Sequence, residues 1–60
     1  MTQLDILYLA YMQQAEIIEN EREKYDRTPS KAIKMRIQKY KERLKELHNM
    51  IVAEEKKISI

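Results

Sequence analysis

One proline and no glycine occur among the 60 residues, so the backbone has a single natural point of interruption, the run Asp26-Arg27-Thr28-Pro29-Ser30. Thr28 is a good helix N-cap, and Pro29 suits the first helical position, where its missing N–H costs nothing. A proline also pushes the residue before it out of the helical region. One helix is therefore expected to end near Asp26 and another to begin near Pro29. Thr2 followed by Asp5 forms a variant capping box, which sets the first helix at about residues 3–26. The second is expected over about 29–56, with Lys56 and Lys57 favourable at its C-terminal dipole and 57–60 as a frayed tail. A link of two residues, 27–28, leaves room only for a fold back. Residues 1–60 thus read as one domain, an all-α antiparallel two-helix hairpin.

Both segments carry a coiled-coil rhythm. In the second it runs through Ile33, Ile37, Tyr40, Leu44, Leu47 and Ile51, breaks at Glu54 and resumes at Ile58. The first offers Leu4, Tyr8, Tyr11, Ala15, Ile18, Arg22 and Tyr25. Antiparallel pairing sets Tyr25 against Ile33, Arg22 against Ile37, Ile18 against Tyr40, Ala15 against Leu44, Tyr11 against Leu47 and Tyr8 against Ile51. Small Ala15 opposite Leu44 is the size complement that close packing requires. Flanking groups favour the same register, with Asp26 near Lys34, Glu19 near Lys41, Glu21 near Arg36 and Gln14 near Arg43. Exposed pairs of this kind contribute only about 0.2–1 kcal/mol each, so they select the register more than they stabilise it.

A chain this short cannot bury a sizeable core unaided. Cysteine is absent and only one histidine is present, which removes disulfides and clustered soft metal ligands and leaves self-association as the remaining remedy. The open end of the hairpin points the same way. Met12 is expected across from His48 and Leu7 across from Met50, with Leu9 and Val52 further out and Ile6, Ile17 and Ala53 on other sides. A helix that is apolar nearly all round is buried all round. Ile6, Leu7, Leu9, Met12, Met50, Val52 and Ala53 are accordingly expected to form a self-association or partner surface, with a dimeric four-helix bundle as the product.

Charge is divided unevenly. Residues 1–26 hold two Lys or Arg against six Asp or Glu, and residues 27–60 hold ten against four, so the formal charges are −4 and +6, which give the chain its net +2. A basic second helix could track phosphates. Since Lys34, Lys41 and Arg36 are spent on the acidic helix, Arg27, Lys31, Lys39 and Lys45 are the candidate contacts for RNA or DNA. A solvated, internally paired face is the preferred reading of this run.

Catalytic and cofactor chemistry find no footing. His48 has Lys45, Leu44, Ile51 and Val52 at helical neighbour spacing and no carboxylate or second histidine, so neither a metal site nor an activated nucleophile is expected. Glu16, Glu19, Glu23 and Asp26 form a helical stripe, yet no Glu-x-x-His partner exists for a di-metal centre. The four tyrosines, Tyr8, Tyr11, Tyr25 and Tyr40, all take seam positions and are expected as core rings rather than stacking platforms. Arg22 is expected to lay its stem over Ile37 and reach Glu19 or Asp26. The longest mainly apolar stretch, Leu4 to Met12, contains Asp5 and is far below the roughly 20 residues a bilayer demands. With nothing basic before Arg22 to serve a secretory signal, residence in the cytoplasm is expected.

In topology and size the expected architecture resembles Rop-type plasmid proteins, RNA-binding dimers of helical hairpins, and also the small hairpins that inhibit bacterial sensor kinases by packing on their helices. The resemblance implies no individual residue. The expectation is a non-enzymatic, protein-binding regulator or inhibitor that self-associates, most simply as a homodimer, and has a protein target; the alternative is a nucleic-acid-binding hairpin dimer. No cofactor, metal, membrane or small-molecule substrate is expected.

Overall fold

The computed structural model describes residues 1–58, so the last two residues of the expected tail lie outside the described residues. It contains two helices, α1 (Gln3–Arg27) and α2 (Lys31–Ile58), packed against each other as a hairpin. Thr2 caps α1 by a reciprocal box: its hydroxyl accepts from the Asp5 N–H and the Asp5 carboxylate accepts from the Thr2 N–H, both at 3.2 Å. Lys56 and Lys57 stand in the last turn of α2.

The turn differs from expectation in one respect. Thr28 closes α1 instead of opening α2: its N–H donates to the Lys24 carbonyl at 2.9 Å, and its φ of −141° and ψ of 83° leave the helical region, as befits a residue before proline. The first bond of α2 runs from the Lys34 N–H to the Ser30 carbonyl at 3.0 Å. Helix α2 therefore begins at Lys31, with Thr28, Pro29 and Ser30 as the link. At the other end Lys57 and Ile58 are still helical.

The stripe of α2 faces the seam as expected from Ile33 to Ile51: Ile37, Leu47 and Ile51 are buried, and Ile33, Tyr40 and Leu44 are half-buried. Glu54, the expected break, is half-buried as well, whereas Ile58, expected to resume the stripe, is 63% exposed because it lies level with the very start of α1. On α1 the buried stripe is turned by about half a step. It runs through Leu4, Leu7, Tyr11, Gln14, Ile18, Glu21 and Tyr25, with Leu7, Ile18 and Glu21 buried. The expected stripe shares Leu4, Tyr11, Ile18 and Tyr25 with it but names Tyr8, Ala15 and Arg22 at the alternate layers. Tyr8 is 42% exposed, Arg22 is exposed, and Ala15 is half-buried beside Gln14.

Electrostatics and burial explain the choice. The flanks of α2 are cationic, so a carboxylate at this layer is attracted where the guanidinium of Arg22 would be repelled. Glu21 takes the position with Lys24 at 3.4 Å and Arg36 at 3.8 Å. Gln14 donates to the Tyr40 carbonyl at 3.2 Å. Leu7 buries an all-carbon side chain, while Tyr8 keeps its hydroxyl at the edge, donating to Glu55 at 3.2 Å.

Two helices make one layer, and a layer has no interior beyond its seam. The radius of gyration is 14.2 Å and the rod measures 48 × 18 × 11 Å, against roughly 10 Å for the radius of gyration of a compact 60-residue globule. Its surface of 5017 Å² exceeds by about 800 Å² the roughly 4,200 Å² of a compact monomer of this mass.

Candidate interaction surfaces

Two contacts fix which side of α1 lies beside which side of α2. Glu21 and Arg36 meet on one side of the seam. On the other, Tyr8 meets Glu55, and Ala15, Glu19, Arg22, Lys41 and Leu44 line a common cleft. Helical spacing assigns the remaining residues to these two sides.

On the Glu21 side, α1 contributes Ile6, Ala10 one turn later and Ile17 two turns after that, and α2 contributes Met50, two heptads after Arg36, with Ala53 one turn on. Ile6, Ile17 and Met50 are 48%, 43% and 46% exposed, and Ala53 is exposed. Polar groups close the seam here: Gln14 and Glu21 from α1, then the ion pair of Arg43 with Glu46 at 3.1 Å. The buried Glu21 Oε2 accepts no hydrogen bond, since Arg36 at 3.8 Å is near enough for attraction only.

The other side is built differently. Small Ala15 and outward-turned Arg22 leave the seam open, and three clefts follow one another along it, sharing Lys34, Gln38 and Lys41. The largest, about 570 Å³, lies at the turn and includes Tyr25, Pro29, Lys31 and Met35. Ile37, Ile18, Ala15 and Leu44 reach the clefts farther along. The α1 wall reads Asp26, Arg22, Glu19, Ala15, Met12 and Tyr8 from turn to open end, with Glu16 and Glu23 behind it in line with Leu9; the α2 wall reads Lys31, Lys34, Gln38, Lys41, Lys45, His48 and Val52. Each wall is charged near the turn and largely apolar toward the open end. Met12 is 67% exposed and Val52 half-buried, and the His48 ring stands 6.5 Å from Tyr11 at an interplanar angle of 50°.

The seven residues expected as one surface thus divide. Ile6, Met50 and Ala53 belong to the Glu21 side, Met12 and Val52 to the cleft side, and Leu9, 45% exposed, to the back of α1. Leu7 is covered by its own hairpin at 8% exposure and presents nothing to a partner. Ala10 and Ile17 extend the Glu21 side, and the spacing from Ile6 was their signal in the sequence.

Of the flanking pairs expected from the sequence, Glu21 with Arg36 forms. Among the described residues no ion pair joins Asp26 to Lys34 or Glu19 to Lys41, and Gln14 is bonded to the Tyr40 backbone. Arg22, expected to bond its own helix, makes no ion pair there either. The candidate phosphate contacts Arg27, Lys31, Lys39 and Lys45 are all exposed. Lys31 and Lys45 share the cleft wall, but Lys39 stands on another side of α2, so the four do not form one face.

Hydrogen bonding to the Glu55 carboxylate, with smaller effects of desolvation and charge from the same neighbourhood, raises the Tyr8 phenol above its ordinary value. Among the described residues, no three His, Cys, Asp or Glu side chains gather as a metal site, and no helix is long and apolar enough to cross a membrane. Neither protein-family models, curated proteins nor solved structures yield a match to this chain.

Proposed function

We propose that the protein is a non-enzymatic, protein-binding regulator or inhibitor that acts as a self-associating helical hairpin. The observation that carries this reading is the exposure of large apolar side chains on both sides of a single two-helix layer: Ile6, Ile17 and Met50 on one, Met12 and Tyr8 on the other. One partner resting on one side cannot cover both. The surplus surface of about 800 Å² equals what each partner contributes to a standard interface, ~800 Å², which supports at least one lasting contact. Two separate sides allow one for a second copy and one for a protein target.

Sedimentation across micromolar to millimolar concentration tests the first half. The expected species has twice the 7.3 kDa chain mass, and a folded 7.3 kDa monomer throughout would sink the reading. Nucleic-acid binding is the second reading. Its support is that Arg27, Lys31, Lys39 and Lys45 are exposed and make no ion pair within the described chain.

A further inference from the structure

The geometry points to the cleft side as the seat of a second copy of this chain, joined face to face with both turns at the same end of the dimer. This deepens, and rests on, the self-association reading above. Two identical layers can be stacked about a two-fold axis in two ways. An axis along the helices puts the turns together and lays α1 of each copy over α2 of the other at the same height. An axis across the helices puts the turns at opposite ends and lays α1 on α1 and α2 on α2.

The walls of the clefts discriminate between the two. The first arrangement sets Glu19 and Asp26 of one copy against Lys41, Lys34 and Lys31 of the other, and Arg22 against the uncharged Gln38. It also sets Met12 and Tyr8 against Val52 and His48 at the open end. The second drives the charged turn end of each copy onto the apolar open end of its partner, with Glu19 and Arg22 near Met12 and Tyr8 and with Lys41 and Lys34 near His48 and Val52, so these charges meet no opposite charge. Covering charges with apolar groups is costly, and complementary charges fix orientation.

Three further observations agree. Glu19, Asp26, Lys31, Lys34, Lys41 and Lys45 make no ion pair within the described hairpin, although Glu19 and Lys41 line one cleft. The cleft floor contains Ala15, Ile18, Ile37 and Leu44, apolar surface that a facing layer would cover. On the Glu21 side the turn end offers Lys24, Arg36 and Lys39 around a single buried carboxylate, with Arg43 paired to Glu46, and no acidic row on α1 faces these cations across the two-fold. A second hairpin therefore finds charge complementarity on the cleft side.

Because the chain has no cysteine, Thr28→Cys gives a unique site for a spin label at the turn. In the dimer, labels should lie roughly 10–25 Å apart, given the ~10 Å between packed helices. Turns at opposite ends would separate them by close to the 48 Å length of the rod and overturn the arrangement while leaving self-association intact.

Two charge variants test the face itself, with helix content checked by circular dichroism. The first is Glu19→Lys with Asp26→Lys, and the second is Lys34→Glu with Lys41→Glu. Each alone should raise the dimer dissociation constant roughly tenfold or more, because like charges replace opposite ones. An equimolar mixture should restore dimers as heterodimers. If each variant dimerises as well as the parent, the cleft side is not the interface. A parent chain that stays monomeric defeats both this inference and the reading beneath it.

Discussion

Glu21→Leu should stabilise the hairpin, although it deletes two attractions. The carboxylate is 7% exposed at a seam layer. Its partners are Lys24 at 3.4 Å and Arg36 at 3.8 Å, whose side chains are 63% and 50% exposed. Such screened pairs contribute about 0.2–1 kcal/mol each, so their loss costs at most ~2 kcal/mol. Against this, the unbonded Oε2 carries a desolvation penalty of about 1–3 kcal/mol, which disappears with the carboxylate. Leucine adds roughly one buried carbon's worth of transfer energy, ~0.8 kcal/mol. Helix propensity is nearly unchanged between the two residues.

The net expectation for Glu21→Leu is a gain of about 1 kcal/mol, in line with the neutral-to-stabilising result of replacing buried ion pairs by apolar groups. In a domain of this size it should raise Tm by about 4–8 °C. Thermal and urea unfolding followed by circular dichroism, at a concentration where parent and variant share one association state, measures it. A loss of 1 kcal/mol or more would refute the reasoning, since the attractions would then outweigh desolvation. Arg22→Ala is the companion measurement. If α1 faces the seam through Glu21, removing the exposed Arg22 side chain changes stability by no more than about 0.5 kcal/mol.

Three other outcomes follow. Leu7→Ala should destabilise by about 2–3 kcal/mol, because Leu7 is a core residue at 8% exposure. By contrast Leu9→Ala, at 45% exposure, should cost under about 1 kcal/mol in the same unfolding assay; equal losses would contradict the observed facing. For Tyr8 the folded phenol is raised above the unfolded value of about 10. Its bond to Glu55 therefore contributes fully below pH ~10 and is lost as pH climbs through the folded value. Ultraviolet titration should show a Tyr8 step, identified by its loss in Tyr8→Phe, above the ordinary phenol value, and Glu55→Gln should lower it; a Tyr8 step at the ordinary value removes this bond from solution. If the second reading of function is correct, RNA or DNA affinity should fall steeply with salt and vanish when Arg27, Lys31, Lys39 and Lys45 become glutamine. Binding that ignores salt would dismiss it.

The sequence by itself determined what is local. A lone proline in a glycine-free chain placed the break, the Thr2–Asp5 box placed the start of α1, and the α2 stripe from Ile33 to Ile51 named its own buried face, because the cations Lys31, Lys34, Arg36, Lys39, Lys41, Arg43 and Lys45 occupy the other faces of its first half. Tertiary structure decided what depends on a neighbour. Two stripes of α1 share Leu4, Tyr11, Ile18 and Tyr25 and differ by one residue at the layers between. Hydropathy cannot choose between Tyr8, Ala15 and Arg22 on one hand and Leu7, Gln14 and Glu21 on the other, since each set mixes polar and apolar groups. The choice falls to α2, whose cations attract Glu21 and whose Tyr40 carbonyl accepts from Gln14. That small rotation also buries Leu7, opens the cleft above Ala15 and sends the surplus apolar groups to two sides rather than one. A periodic pattern fixes which residues share a stripe, but which stripe turns inward is an energy between two helices and is carried by neither alone.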